Sequence, residues 1–312
     1  MIMKIRMCVA AAACALAAAV PLWSAPPAAS AGEAAPAFQE VWRTDFDGAA
    51  GSRPSADDWI TDTGTGYPGG PDHWGTGEVQ TYTDAPENLQ LDGAGHLKIT
   101  ALKKDGGWTS GRIETQRTDF AAPEGGALRI EARIQLPQVS GGKALGYWPA
   151  FWTLGADFRD TGNWPAVGEF DVMENVNGAD TLWGTLHCGV TPGGPCNETD
   201  GKGGSHPCTG CRDTFHTYAL ELDRTDPAHE KLTWFLDGVA YHTVAASEMD
   251  ADTWARATHH GHFVLLNLAM GGGFPDGVAG HATPTDTTEP GASLLVDNVA
   301  ISVAAPASAP TP

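Results

Sequence analysis

Positive charge is scarce in this chain. Its 312 residues include 18 lysines and arginines against 38 aspartates and glutamates, which gives a net charge of −20 at pH 7. Nucleic acids and anionic membrane surfaces attract basic patches, so this balance argues against both as partners. The same charge suits a soluble extracellular protein, and it would not repel an uncharged substrate.

Long hydrophobic runs are missing as well. Beyond the N-terminus, no stretch approaches the ~18 uninterrupted apolar residues of a membrane span. At the N-terminus, Lys4 and Arg6 precede an Ala/Val/Leu run that ends in the small residues 29–31 (ASA), as in a secretory signal peptide. Lipoprotein cleavage before Cys14 is disfavoured, because the three alanines ahead of it lack the usual bulky residue. We therefore predict that residues 1–31 are a signal peptide and that the protein is secreted.

Cysteine is rare outside the signal peptide. The four remaining cysteines fall within the 24 residues from 188 to 211, and they are Cys188, Cys196, Cys208 and Cys211. Four thiolates could hold a structural zinc ion, but an exported chain favours disulfides. Three connectivities are possible, and proximity alone favours 188 with 196 and 208 with 211.

Sustained helical periodicity is also lacking. The best helical candidate is residues 247–257, with Ser247 as a possible N-cap. Short β-rich runs separated by turn residues recur instead, at 97–102, 127–136, 170–173, 181–187, 214–222, 232–236, 239–244, 263–268 and 294–303. Such spacing predicts an all-β sandwich or barrel. No internal linker is visible, so we expect one domain over residues 32–303, followed by an Ala/Pro-rich tail, 304–312.

Residues 168–175 (GEFDVMEN) carry three carboxylates in six positions. Period-two alternation places Glu169 and Asp171 on one face of a strand. An unbroken strand would turn Glu174 into the core, where an unpaired carboxylate is costly. A β-bulge around residues 172–173 would return Glu174 to the face of the other two acids. Three acids that repel one another predict a catalytic carboxylate pair on a sheet that lines a cleft.

Tryptophan is abundant, with eleven residues, and it clusters near glycine and proline. Sugar faces stack on exposed aromatic rings, although core packing is the usual alternative for tryptophan. In a strand over residues 147–155, Trp148 and Trp152 share a face, and Trp164 lies close to Glu169 in sequence. The loop-like segment 62–86, which contains Trp74, resembles a cleft wall more than a packing element.

The acid segment resembles the E-x-D-x-x-E signature of glycoside hydrolase family 16, in the bulged form of its laminarinase-like members. Further segments are similar to family motifs in the same order: 110–113 (SGRI), 148–155 (WPAFWTLG), 164–165 (WP), 184–187 (GTLH), 215–218 (FHTY), 234–238 (WFLDG) and 265–272 (LLNLAMGG). The resemblance covers most of the mature chain.

The resemblance implies a β-jelly-roll sandwich (concanavalin A-like) of two curved antiparallel sheets with a concave cleft, and retaining endo-hydrolysis of β-linked polysaccharide. Matched by position, Glu169 corresponds to the nucleophile, Glu174 to the general acid/base, and Asp171 to the helper that holds the geometry and charge of the nucleophile. His187 matches a family histidine near the acid/base, with a purely structural role as the alternative. Arg112 matches a substrate-contacting arginine. The full predicted substrate-binding set is Trp74, Asn88, Arg112, Trp148, Trp152, Trp164 and His187.

Departures from the family pattern put the substrate in doubt and leave the catalytic residues intact. Residues 74–78 read WGTGE where many laminarinases have W-G-N-x-E, and residues 273–274 read GF where Asn-Trp is usual. The cysteine loop is a further departure. β-1,3-Glucan is the first expectation, followed by β-1,3-galactan and mixed-linkage β-glucan. A transglycosylase and a non-catalytic carbohydrate-binding module are the remaining alternatives, although a lectin has no use for two paired acids.

No cofactor is expected for catalysis, and a monomer is expected. Several family members bind a structural calcium ion through an aspartate in the last strand, and Asp297 occupies a comparable position. The alternative is an ordinary exposed aspartate. A histidine cluster at 259, 260 and 262 invites a metal interpretation, but no acidic residue lies beside it in the sequence.

Overall fold

The computed structural model describes residues 37–306. The predicted signal peptide and residues 307–312 of the predicted tail lie outside this range. Within it, no helix has the length and apolar character that crossing a bilayer requires.

Strands dominate the described part of the chain. The strands are β1 (Gln39–Thr44), β2 (Trp59–Asp62), β3 (Gln80–Tyr82), β4 (Leu89–Leu91), β5 (Leu97–Thr100), β6 (Leu102–Lys104), β7 (Gly107–Ser110), β8 (Arg112–Thr115), β9 (Ala127–Gln135), β10 (Tyr147–Gly155), β11 (Glu169–Glu174), β12 (Thr181–His187), β13 (Lys202–Pro207), β14 (His216–Asp223), β15 (Lys231–Leu236), β16 (Val239–Ala245), β17 (His262–Met270) and β18 (Ser293–Ala304). The α-helices are α1 (Phe158–Thr161), α2 (Ala251–Thr258) and α3 (Gly273–Ala279), and single 3₁₀ turns lie at Asp72–Gly75, Gly141–Ala144 and Ala246–Glu248.

Two large sheets form the body of the domain. One has eight strands in the order β16-β15-β14-β9-β18-β5-β4, with β1 also paired to β18, and the other has seven in the order β13-β12-β11-β10-β17-β8-β2. Pairing within both is antiparallel. Strands β3, β7 and β6 make a small third sheet. The predicted all-β sandwich is confirmed.

One hydrophobic core fills the space between the two large sheets. Ile130, Leu220 and Ile301 from the eight-stranded sheet belong to the same buried cluster as Phe170 and Leu266 from the seven-stranded sheet. Burying a side chain of this size stabilises the fold by about 1.5–3 kcal/mol. Strand alternation turns the other side chains of the seven-stranded sheet away from this core, and a smaller buried hydrophobic cluster lies on that face.

The predicted bulge in β11 is confirmed. On the β10 side, Trp152 lies opposite Asp171 and its neighbour Phe151 lies opposite Met173, so Val172 is the extra residue. Val172 and Met173 are both buried, and the three acids therefore share the other face. Trp234 reaches across the sandwich from β15 and donates its indole N–H to the backbone carbonyl of Asp171 (2.7 Å). The second sheet thus supports the irregular strand at the bulge.

The prediction for the helix start was wrong by several residues. Helix α2 begins at Ala251, with Asp250 as the N-cap whose carboxylate accepts the N–H of Thr253 (2.9 Å). Ser247 lies in the preceding 3₁₀ turn. Because a carboxylate also interacts favourably with the positive end of the helix dipole, Asp250 is the stronger cap.

Candidate active site

Two indole N–H groups hold the outer members of the acid triplet on β11. Trp148 Nε1 donates to Glu174 Oε1 at 2.8 Å, and Trp164 Nε1 donates to Glu169 Oε2 at 3.1 Å. Asp171 lies between the two glutamates on the same face and is 4% exposed. Each glutamate therefore accepts one indole N–H, and these two hydrogen bonds fix the orientation of both carboxyl groups.

The surroundings of the two glutamates raise both of their pKa values. Burial is the main cause for Glu169 and for Glu174, and the negative charge of Asp171 is the second. His187 and the Trp164 N–H act in the opposite direction on the pKa of Glu169. The pKa of Glu174 is raised well above its ordinary value. The pKa of Glu169 is raised less, to about 8, so Glu174 is the more readily protonated of the two and Glu169 the more readily ionised.

His187 lies beside Asp171 and Glu169, and not beside Glu174 as the resemblance implied. Its Nε2 is 3.2 Å from Asp171 Oδ2 and 4.0 Å from Glu169 Oε1. The reason is the strand register, because His187 of β12 pairs with Glu169, while Trp183 pairs with Glu174. Burial acts to lower the pKa of His187, but its close contacts with Asp171 and Glu198 and the charges of the acids outweigh burial and raise that pKa well above its usual value.

Glu198 is a site residue that sequence reasoning missed. It lies in the cysteine loop, its side chain is fully buried, and its Oε2 is 2.7 Å from His187 Nδ1. Its Oε1 accepts the backbone N–H of Cys188 at 2.8 Å. In the sequence it forms part of an Asn-Glu-Thr triplet, where nothing local distinguishes it from a surface residue.

An aromatic wall is formed by Trp74, in the loop that precedes β3, and by Trp152 of β10, with Arg112 of β8 packed between them. The Arg112 guanidinium lies 4.2 Å from the centre of the Trp74 ring and 4.9 Å from that of Trp152. Arg112 also donates to Asp62 (3.0 Å) and to the Tyr67 hydroxyl (2.7 Å). It is only 3% exposed. Little of Arg112 is therefore left to meet a substrate, and the contacts that it makes hold the rings of this wall in place.

A second aromatic cluster lies on the other side of the acids. The Phe274 ring of α3 packs edge-on against Trp148 (5.8 Å between ring centres) and against Trp183 (5.3 Å). Trp183 and Phe274 were not among the predicted site residues. Phe274 stands where the family pattern departs from Asn-Trp, and that departure was the signal that could have identified it.

The structure corrects the prediction for Asn88. Asn88 is 3% exposed. Its Nδ2 donates to the carbonyl of Thr100 and its Oδ1 accepts from Thr83 Oγ1, each at 2.8 Å. Both ends of the amide are therefore used to fix the segment ahead of β4, and Asn88 does not present itself to a substrate.

The surroundings of Asp297 do not fit a calcium ligand. Its Oδ2 accepts from Arg133 at 3.0 Å and from the Asn298 amide at 2.7 Å, and its Oδ1 lies 3.9 Å from His96 Nε2. Calcium needs oxygen ligands that are free to converge on it, and a guanidinium already neutralises this carboxylate. Asp297 belongs to a surface ion pair.

The histidines at 259–262 make no metal site. His259 Nε2 is 2.6 Å from Glu230 Oε2, and the ring nitrogens of His260 lie against backbone carbonyls. His262 lies 3.1 Å from Thr153 Oγ1 and 3.0 Å from the Ala257 carbonyl. Burial lowers the pKa of His262 to about 3, so it stays neutral. Among the described residues, the cluster whose ligand atoms come within 4.8 Å of one another is Glu169, Asp171 and His187, and there the histidine itself supplies the positive charge.

The four cysteines form two disulfides. Cys188 is bonded to Cys196, and Cys208 to Cys211, which is the connectivity that proximity favours. The first bridge joins the end of β12 to the loop that carries Glu198. The second closes a tight turn ahead of β14.

Several known proteins are similar to this chain in sequence and in fold. Residues 104–209 match the family model described as the XgeA-like catalytic domain of glycoside hydrolase family 16. The crystal structure of an endo-1,3-β-glucanase from Streptomyces sioyaensis is 53% identical, with a TM-score of 0.83, and the match covers 91% of this chain and all of that one. A glucan endo-1,3-β-glucosidase from Cryptopygus antarcticus is 29% identical over 256 residues, which are 75% of this chain and 80% of that protein.

A longer relative shows that the matching region also occurs as part of larger proteins. The clotting factor G alpha subunit of Tachypleus tridentatus is 30% identical over 280 residues, which are 88% of this chain but 35% of that protein. The Streptomyces enzyme is matched over its full length at well above 30% identity. On that match, together with the bulged acid strand, this chain belongs to glycoside hydrolase family 16.

Proposed function

We propose that the chain is a secreted, monomeric endo-β-1,3-glucanase that cleaves laminarin-type β-glucan with retention of configuration. The observation that carries the proposal is the bulge in β11, which brings Glu169, Asp171 and Glu174 to the face that points away from the core. Retaining glycosidases use two carboxyl groups about 5–5.5 Å apart on either side of the scissile bond. Two glutamates with a bulge between them, each held by an indole N–H, suit that requirement.

In the proposed reaction, ionised Glu169 attacks the anomeric carbon while protonated Glu174 gives its proton to the leaving glycosidic oxygen. The C–O bond breaks, and a covalent glycosyl–Glu169 ester forms. Glu174, now ionised, takes a proton from a water molecule whose oxygen then displaces Glu169 from the anomeric carbon. Two inversions at the same carbon give net retention. Asp171 raises the proton affinity of Glu174 through its charge.

The aromatic side chains support a sugar polymer as the substrate. Trp74 and Trp152 would flank the acids on one side, and Trp148 and Phe274 on the other, with Trp164 next to Glu169. Their rings offer flat apolar faces to uncharged pyranose rings. The two relatives named as β-1,3-glucanases support β-1,3-glucan as the first choice.

Product analysis tests the proposal directly. The purified protein is incubated with laminarin, β-1,3-galactan, lichenan and agarose, and the products are separated by size and followed by ¹H NMR from the first minutes. We expect oligosaccharides from laminarin with β configuration at the new reducing end. Release from lichenan or galactan in place of laminarin would change the substrate assignment, products longer than the hydrolytic set would indicate transglycosylation, and no release from any polymer would leave the binding-module alternative.

Isosteric variants test the assigned roles. Glu169→Gln and Glu174→Gln should each lower kcat on laminarin by at least about 10³-fold, since each removes a group that takes part in bond making or proton transfer. The exposed Glu87→Gln is the matched control. Azide should restore turnover to Glu169→Ala and give an α-glycosyl azide. Activity near that of the wild type in either glutamine variant would refute the assignment.

A further inference from the structure

The cysteine loop places a buried carboxylate behind His187. Glu198 follows Cys196 by two residues, and its side chain is completely shielded from solvent. Burying a carboxylate is unfavourable unless hydrogen bonds and a positive partner compensate for the lost hydration. The simpler explanation is that Glu198 only anchors its own loop to the domain. That explanation accounts for its contact with the Cys188 N–H, but not for its contact with the histidine beside the acids.

Both carboxylate oxygens of Glu198 are used. Oε1 accepts the backbone N–H of Cys188, and Oε2 lies 2.7 Å from His187 Nδ1. An ionised carboxylate can only accept, so the His187 Nδ1 must carry the proton and donate it. The ring is then held from behind, with Nε2 at 3.2 Å from Asp171 Oδ2 and 4.0 Å from Glu169 Oε1. A second proton at Nε2 would bring the positive charge of the ring within 4.0 Å of both carboxylates.

The charges around His187 all favour its protonated form. Strand β11 contributes Glu169 and Asp171, and the cysteine loop contributes Glu198. The segment before β11 contributes the uncharged ring of Trp164, whose centre is 5.6 Å from that of His187. The segment after Glu198 closes over the imidazole edge, since a Cβ on Gly201 would come within 2.9 Å of His187 Cε1. His187 is thus a cation enclosed by three carboxylates and one indole.

We propose that Glu198 is a positioning residue for the acid pair. It orients and charges His187 so that this histidine fixes Asp171 and favours the ionised form of Glu169, and the Cys188–Cys196 disulfide holds Glu198 in place. The inference rests on the proposed function, because it assigns Glu169 the role of nucleophile. It does not depend on which β-glucan is the substrate.

The charge-removing variant Glu198→Gln tests the proposal with little change in shape. A glutamine offers one acceptor oxygen and one NH2 donor in place of two acceptor oxygens. If its oxygen keeps the Cys188 N–H, its NH2 can bond His187 Nδ1 only when that nitrogen carries no proton, and the ring then loses the arrangement that favours its positive charge. We expect kcat on laminarin to fall by about tenfold or more with KM little changed, because one unit of pKa is a factor of ten in proton affinity. The acidic limb of the kcat/KM profile should move to higher pH. With less positive charge on His187, the pKa of Glu169 rises. Removing the negative charge of Glu198 lowers the pKa of Glu169, but this direct effect is smaller than that of His187.

A matched control and a double variant separate positioning from a loop-stabilising role. Asp200→Asn removes a charge from the same loop at an exposed position and should change nothing. If Glu198 acts through His187, then Glu198→Gln should have no further effect on kcat in a His187→Gln background. An equal loss in both backgrounds, or wild-type kcat and pH profile in Glu198→Gln, would overturn the proposal.

Two further measurements extend the test, and the first of them does not depend on activity. The His187 imidazole is titrated by NMR, and its pKa should be lower in Glu198→Gln than in the wild type. A wild-type protein that releases nothing from any β-glucan would refute the proposed function, and the titration would still decide whether Glu198 holds the proton of His187.

Replacing Cys188 and Cys196 by alanine should reproduce the kinetic effect of Glu198→Gln, whereas replacing Cys208 and Cys211 should not. Equal effects of the two bridge removals would refute the part assigned to the first disulfide.

Discussion

The two indole hydrogen bonds to the acids predict changes on opposite limbs of the pH profile. Trp148→Phe removes the donor to Glu174, and Trp164→Phe removes the donor to Glu169. Phenylalanine keeps a ring in contact with the neighbouring side chains, so the main loss is one N–H. Both N–H groups lower the pKa of their glutamate, and removing either one should therefore raise it.

The size of each change follows from the strength of one hydrogen bond to a charged group. Such a bond contributes about 1.5–3 kcal/mol when the acceptor is ionised, and part of it persists when the acid is protonated. A net difference near ~1.4 kcal/mol corresponds to one unit of pKa. In Trp164→Phe, the acidic limb of kcat/KM should rise by about one pH unit, because that limb reports ionisation of the nucleophile. In Trp148→Phe, the basic limb should rise by about one pH unit, because that limb reports the proton on the acid/base.

The assay is kcat/KM on laminarin between pH 4 and pH 10 for the wild type and the variants. Trp152→Phe is the control, since its indole N–H donates to Asn267 and to neither acid, and both limbs should stay in place. Limb positions do not depend on how far each variant weakens substrate binding. Should Trp148→Phe move the acidic limb and Trp164→Phe the basic one, the roles of the two glutamates would be reversed.

Four further changes test other parts of the structure. Glu174→Gln should be more favourable for stability at pH 8 than at pH 4, by about 1 kcal/mol or more in the free energy of unfolding. Because the pKa of Glu174 is raised in the folded protein, its contribution to stability is present below the unfolded-state pKa and is lost as the pH rises, whereas glutamine does not titrate. Urea unfolding of both proteins at both pH values measures the difference. Gly184→Ala should destabilise by about 1–3 kcal/mol, because its Cβ would lie 2.3 Å from a Trp234 ring atom, and an unchanged melting temperature would contradict the packing described. Trp234→Phe should cost about 1–3 kcal/mol for the carbonyl that it leaves unpaired in the bulge, with a larger loss of kcat than Gly184→Ala at matched stability. Asp297→Asn should change stability by about 0–1 kcal/mol, and EDTA should leave the melting temperature of the wild type unchanged; a drop on chelation would reinstate calcium.

Much of the fold could be predicted from local patterns. The Asp237-Gly238 turn between β15 and β16 has both residues at positive φ (49° and 78°), as Asp-Gly favours in a two-residue hairpin. The bulge followed from the parity of one strand, because burying Glu174 would have been costly. Turn preferences and strand alternation depend on a few consecutive residues, so they can be recognised in the sequence without knowing which strands pair. The helix start was misplaced because Ser247 and Asp250 are both capping residues, and only the surrounding chain selects between them.

The assignment of side chains to the site depended on contacts between distant segments. His187 was placed near the wrong acid because only the register of β12 on β11 decides which residues face each other. Arg112 and Asn88 are polar residues that the sequence could not show to be buried, and their partners come from other strands and loops. The partner of Asp297, Arg133, lies 164 positions away in the sequence.

The sequence by itself determined the all-β class, the three acids, the need for a bulge and the close cysteine pairs, because each is written in neighbouring residues. The tertiary structure alone decided what stands around those acids. It joined Glu198 to His187, set Phe274 between two tryptophans, and anchored Trp234 on the bulged strand. These contacts arise when two sheets and their loops pack together, and their hydrogen bonds form between groups that the chain order keeps far apart.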